Sequence, residues 1–125
     1  MILGVGTDII EIERIQSSVE RFGEQFLNKI YTKAELEYSL SKGSKYQHLA
    51  GRFAAKEAIS KAISNYWEIG FSWKDVEITN NSLGAPTVVF SSELAIKLPK
   101  NYKIHLSISH SQTHAIAYAI LEDSI

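Results

Sequence analysis

Cysteine is absent from the 125-residue chain, which excludes a disulfide framework and any thiolate metal site. Its absence agrees with a reducing compartment. Neither sign of charge dominates. The formal net charge is −1, so nucleic-acid binding through a bulk basic field is not expected, although a local basic strip is compatible with that balance. No apolar run approaches the roughly 18 residues of a membrane span. The short apolar opening has no positive leader and Asp8 interrupts it, so no signal peptide is expected and a cytoplasmic location is. Repeats, linkers and low-complexity stretches are also missing. What remains is an ordinary globular composition, 45% hydrophobic and 22% charged, and one domain covering residues 1–125.

Residues 2–10 alternate as a strand, with Ile2, Gly4, Gly6, Asp8 and Ile10 on one face. Two glycines beside Asp8 leave open space on its face, which a strand needs where something approaches closely. From Glu11 the period changes. Ile12, Ile15, Val19, Phe22 and Phe26 form the apolar stripe of an amphipathic helix that Gly23 ends or bends. Thr32-Lys33-Ala34-Glu35 has the capping-box form and opens a short helix to about Leu40. Ser44-Lys45-Tyr46-Gln47 is a second match, predicting a long helix to about Tyr66. Strands are expected near Ser72–Thr79 and Pro86–Phe90, joined by a turn-rich connection. A short helix over Ser91–Leu98 is stopped by Pro99, and two alternating segments, Lys103–Ser109 and His114–Leu121, close the chain. The pattern predicts an α+β domain, an antiparallel sheet of hairpin-connected strands packed around a long central helix.

Two acids stand where packing prefers apolar groups. Asp8 interrupts the opening strand, and Glu57 sits in Gly51-Arg52-Phe53-Ala54-Ala55-Lys56-Glu57-Ala58-Ile59-Ser60-Lys61-Ala62, a helix apolar on almost every side. Such carboxylates are costly without a cation, hydrogen bonds or a ligand. Two of them on separate elements suggest a shared ion. Plain alternatives exist: Glu57 and Lys61 as an i,i+4 surface pair, Asp8 as a cap for the helix beginning near Glu11, and the face carrying His105, Ser107 and Ser109 as the wet side of a strand. No nucleophile-elbow sequence supports a Ser-His-Asp triad.

Carboxylates without cysteine suit a hard cation, Mg²⁺ or Mn²⁺, of the kind that serves phosphate chemistry. Lys61, one turn beyond Glu57, and Arg52 on the same helix would supply cations for phosphate oxygens. The constellation points to transfer or hydrolysis at a phosphoanhydride or phosphodiester, with no glycine-rich nucleotide loop. Arg14 and Arg21 lie on one face of the first helix. That face is either solvated or a docking surface for an acidic protein partner.

Three blocks resemble the holo-acyl carrier protein synthases, the small 4′-phosphopantetheinyl transferases. They are Gly4-Val5-Gly6-Thr7-Asp8-Ile9 with Arg14, Ala50 to Ala62, and Leu106-Ser107-Ile108-Ser109-His110-Ser111; Gly84-Ala85-Pro86 also fits. The resemblance implies Mg²⁺-dependent transfer of phosphopantetheine from coenzyme A to a serine of apo-acyl carrier protein, releasing adenosine 3′,5′-bisphosphate. It implies that Asp8 and Glu57 bind the metal and that Lys61 contacts phosphate, with Glu57 or a water as base for the serine. It also implies a coenzyme A pocket around Arg52, Gly84, Pro86, His105, Ser109 and His110. Arg14 and Arg21 would face the acidic recognition helix of the carrier protein. A homotrimer with sites shared between subunits is implied too. No arginine stands between Leu40 and Ala50, where some relatives carry one; Lys42 or Lys45 is the available substitute. Rival readings are a metal-dependent nucleotide pyrophosphate hydrolase using water as acceptor, and a non-enzymatic binding module whose acids cap and pair.

Overall fold

A computed structural model describes residues 1–67 and 72–123. The first strand, β1 (Ile2–Glu11), leads through two short helices, α1 (Ile12–Phe22) and α2 (Glu24–Ile30), to α3 (Lys33–Leu40) and the long α4 (Lys45–Ala62). A 3₁₀ turn at Trp73–Asp75 enters β2 (Val76–Asn80), which pairs with β3 (Pro86–Phe90); α5 (Ser92–Ala95), β4 (Tyr102–His110) and β5 (His114–Asp123) complete the chain. All pairings are antiparallel. The larger sheet has the order β1-β5-β4 and the smaller is the β2-β3 hairpin. This is the α+β architecture that the alternation of periods predicts.

Helix α4 crosses under the three-stranded sheet and makes the core. Its Ala54, Ala55, Ala58, Ile59 and Ala62 pack against Ala117, Ala119 and Leu121 of β5. A second cluster joins Ile15, Leu27, Ile30 and Tyr31 to Leu49 and Ala50. Small residues on both sides let sheet and helix lie very close. A Cβ at Gly4 would collide with the carbonyl oxygen of Ala62, and one at Gly6 with that of Ala58. The space beside Asp8 that the two glycines suggest is therefore occupied by helix backbone. Glycine is required there because a helix, not an ion, approaches.

The Thr32 capping box forms as its spacing predicts: Thr32 N donates to Glu35 Oε1 at 2.8 Å and Glu35 N donates to the Thr32 hydroxyl. Glu35 does more than cap. It is 1% exposed, lies 2.7 Å from Lys56 Nζ, and accepts from Ile78 N at 2.8 Å. Lys56 Nζ in turn donates to the carbonyls of Ile30 and Trp73. One buried ion pair thus ties the end of α2, the start of α3 and the strand β2 to α4. Burial pulls the Lys56 ammonium below the ordinary lysine range, and Glu35 pulls it back up.

Two local expectations are corrected and one is met. The second capping box does not form: Ser44, at φ −102° and ψ 49°, lies outside the extended conformation of an N-cap and makes no side-chain cap hydrogen bond, and the Gln47 side chain that would reach back meets His110 Nδ1 at 2.8 Å instead. The long helix stops at Ala62 rather than near Tyr66. Beyond it, Ser64 N to Lys61 O and Tyr66 N to Ile63 O are the tighter i→i−3 bonds of a terminal turn. As expected, Gly23, at φ 57°, ends α1, and Phe26 falls in a distinct helix, α2.

Candidate active site

The glycine-mediated crossing of β1 over α4 brings Asp8, Glu57 and Lys61 to one place. Lys61 Nζ donates to Thr7 O at 2.8 Å and lies 3.3 Å from Asp8 Oδ1. It reaches across to the strand rather than back along its own helix. No Glu57–Lys61 ion pair is present among the described residues, so the i,i+4 surface pairing does not describe this site. Nor does Asp8 cap α1, whose N-cap Glu11 makes no side-chain cap bond.

Glu57 is half-buried, and its carboxyl is pushed above the usual carboxylate range. Burial is the main cause, repulsion from Asp8 adds to it, and Lys61 opposes both. Asp8 therefore repels Glu57, and among the described residues Lys61 is the cation beside both. Like-charged carboxylates with only one nearby cation form a set of oxygen donors suited to a hard divalent ion. Lys61 remains about half exposed, and its ammonium can meet an anionic ligand.

The predicted pocket residues separate into two groups. Arg52, Gly84, Pro86 and His110 surround a cavity of about 230 Å³, together with Tyr38, Gln47, His48 and Asn80. Arg52 is nearly buried there. Its Nη2 donates to Asn80 Oδ1 at 2.7 Å, and Asn80 Nδ2 donates to Gly84 O at 3.0 Å. Gly84 has φ 89°, in the region that favours glycine, at the tip of the β2–β3 turn. His105 and Ser109 lie elsewhere. They are exposed on the face of the β1-β5-β4 sheet turned away from α4, and His105 pairs with Glu122 at 2.8 Å. Sidedness explains the split: neighbours along β4 point to opposite faces, and His110 is at the strand end, where Gln47 holds it.

Arg14 and Arg21 are both exposed along α1, and Arg21 lies over the half-exposed ring of Phe22 at 5.2 Å. A larger cavity, about 560 Å³, opens between α1 and the β4–β5 turn, but Glu11, Glu13 and Glu20 line it. That lining disfavours phosphate.

Sequence reasoning missed Tyr38 and Asn80. Tyr38 follows Glu35 by three residues, which puts it on the same helix face, a signal that was available. Asn80 lay at a strand end read only as turn-rich.

The family model for the 4′-phosphopantetheinyl transferase superfamily matches residues 4–119. A curated relative, the holo-[acyl-carrier-protein] synthase of Protochlamydia amoebophila, is 48% identical over 120 residues, covering 96% of this chain and 98% of that protein. Among solved structures, the holo-(acyl-carrier-protein) synthase of Bacillus anthracis, in complex with CoA (3′,5′-ADP), is 39% identical with a TM-score of 0.80 over 99% of both chains. The Helicobacter pylori synthase, in complex with coenzyme A, is 31% identical with a TM-score of 0.79, covering 94% of this chain and 99% of that one.

Proposed function

The chain belongs to the 4′-phosphopantetheinyl transferase superfamily, and from that premise we propose that it works as its synthase relatives are named to do. It moves the 4′-phosphopantetheine of coenzyme A onto a serine of apo-acyl carrier protein. The observation that carries this reading is the convergence of Asp8, Glu57 and Lys61 at the β1–α4 crossing, in a chain that matches these relatives over nearly its whole length.

In the reaction the serine Oγ forms a bond to the phosphorus that bears the pantetheine arm. The bond from that phosphorus to the bridging oxygen breaks, and adenosine 3′,5′-bisphosphate leaves. Glu57, whose carboxyl is held above the usual carboxylate range by burial and by Asp8, accepts the serine proton directly or through a water. Lys61 is held at the strand by Thr7 O and presents its ammonium to the diphosphate oxygens. Asp8 and Glu57 would hold a magnesium ion, with manganese as a substitute. When bound, that ion supplies charge neutralisation at the diphosphate and alignment of the attacking and leaving oxygens.

Two features support a homotrimer with shared sites. Arg52 and Glu57 are five residues apart on α4, so their side chains point about 140° apart, and the Arg52 cavity opens on a different flank from the Asp8–Glu57 pair. One chain therefore presents two half-sites facing different ways. The outward face of the larger sheet also carries Val5, Ile9, Ile116 and Tyr118, each at least 42% exposed. Ile9 lies directly opposite Ile116. A contiguous apolar patch of this kind marks an interface. Arg14 and Arg21 on α1 supply the cations that an acidic carrier-protein helix needs, and the balanced charge fits a cytoplasmic enzyme.

The test is to incubate the protein with coenzyme A, Mg²⁺ and apo-acyl carrier protein and weigh the carrier by mass spectrometry. One added phosphopantetheine per carrier, with adenosine 3′,5′-bisphosphate in the supernatant, is the expected result. Release of nucleotide with the carrier unmodified would instead identify a pyrophosphate hydrolase.

A further inference from the structure

A single aromatic ring organises the positive charge around the Arg52 cavity. Arg52 Cζ lies 4.2 Å from the centroid of the Tyr38 ring, and Lys42 Nζ lies 4.7 Å from the same centroid. His48 meets that ring edge-on at 5.4 Å. Two cations drawn to one ring repel each other, and the negative π-face offsets the repulsion only in part. Among the described residues neither Arg52 nor Lys42 has a carboxylate within ion-pair distance. Glu35, the acid nearest in influence to Arg52, is already engaged by Lys56, Thr32 N and Ile78 N.

Arg52 is 4% exposed. One of its donors is engaged by Asn80, while its Nε is buried with no hydrogen-bond partner among the described residues. A buried guanidinium with a donor left over and no counter-ion lacks an anion. The neighbourhood agrees: His48 is held below the ordinary histidine range by burial, and then by Arg52, Lys42 and His110, all cationic when protonated. Lys45, the first residue of α4, lies over Tyr46 instead, at 5.2 Å.

We propose that Tyr38 is a positioning residue. Its ring holds the Arg52 guanidinium and the Lys42 ammonium together as a receptor for a phosphate monoester, the group that distinguishes coenzyme A from its dephosphorylated form. Naming that ligand rests on the transferase reading. Lys42, not Lys45, is then the second cation of the receptor, and the selectivity for the monoester depends on a side chain that itself carries no charge.

Calorimetric binding of coenzyme A and of dephospho-coenzyme A, in the absence of carrier protein, tests this. Wild type should prefer coenzyme A. Tyr38→Leu should lose about tenfold in coenzyme A affinity, the scale of one desolvated cation–π contact, and change less than about twofold for the dephospho compound. Tyr38→Phe should keep the preference. Lys42→Gln should reduce it, and Lys45→Gln should not. Equal losses for both ligands in Tyr38→Leu, Phe behaving like Leu, or Lys45→Gln matching Lys42→Gln would overturn the assignment. Should Tyr38→Leu fail to fold, the two lysine variants decide the matter. Wild type that transfers phosphopantetheine yet binds both compounds equally overturns the Tyr38 proposal alone. Wild type that prefers coenzyme A yet modifies no carrier overturns the transferase reading alone.

Discussion

Lys56 and Glu57 are neighbours on one helix, yet their environments are opposites. Lys56 is fully buried, and its three donors reach Glu35, the Ile30 carbonyl and the Trp73 carbonyl. Its partner Glu35 is equally saturated. Glu57 is half-buried, is repelled by Asp8, and has no ion-pair partner of its own among the described residues. The first flank spends its charge internally and cross-links four elements. The second leaves charge unbalanced at a crossing whose close approach two glycines allow. A charge with every partner in place belongs to the fold, whereas one left short of partners beside an opening belongs to a ligand.

The largest expected effect comes from breaking the saturated side. Lys56→Met leaves the Glu35 carboxylate buried without its cation, and urea denaturation should show a loss of about 3–5 kcal/mol. The double variant Lys56→Met/Glu35→Leu should recover much of that loss. If Lys56→Met is as stable as wild type, the pair does not hold the elements together. On the other flank the order reverses. Glu57→Gln removes a like-charge repulsion, so the melting temperature should hold or rise, while turnover falls by about a hundredfold or more, equivalent to roughly 2.7 kcal/mol in the barrier. A drop in stability with turnover intact would exchange the roles assigned to the two flanks.

Smaller effects sharpen the contrast away from α4. Arg14→Glu or Arg21→Glu should raise the KM for carrier protein about tenfold, or roughly 1.4 kcal/mol, and leave coenzyme A affinity unchanged. An equal loss of both would place the docking surface elsewhere. The least is expected from His48. Its folded-state pKa is depressed, so protonation opposes folding. Its contribution is whole above the ordinary histidine range and is lost as pH falls through it. A pH series of melting temperatures from 7 to about 5 should therefore fall slightly less for His48→Gln than for wild type. An identical slope would show that His48 does not feel the Arg52–Lys42 charge.

Most of the fold was legible because its elements carry clean periods: β1, α1 and the β4–β5 pair read directly, and the Thr32 capping box placed α3. Asp8, Glu57 and Lys61 were legible as a group because each is polar in an apolar run. The buried Glu35–Lys56 pair was not, since a helix start acid looks like a cap and a lysine beside Glu57 looks like solvent charge. Only the packing of β2 against α3 reveals that they meet. The glycines of β1 were read as allowing a close approach without saying by what; the backbone of α4 makes it. The division of the pocket residues followed the alternation of β4, whose face carrying His105, Ser107 and Ser109 is the exposed one; what the sequence did not show is that Gln47 holds His110 at the strand end.

The joint grip of Asp8 and Glu57 on one divalent ion is the central claim. Its most direct measurement is the melting temperature of wild type, Asp8→Asn and Glu57→Gln against Mg²⁺ concentration, at saturating coenzyme A. Mg²⁺ should raise the wild-type melting temperature and leave both variants nearly unmoved. A Mg²⁺-dependent rise that survives undiminished in either variant would contradict the account.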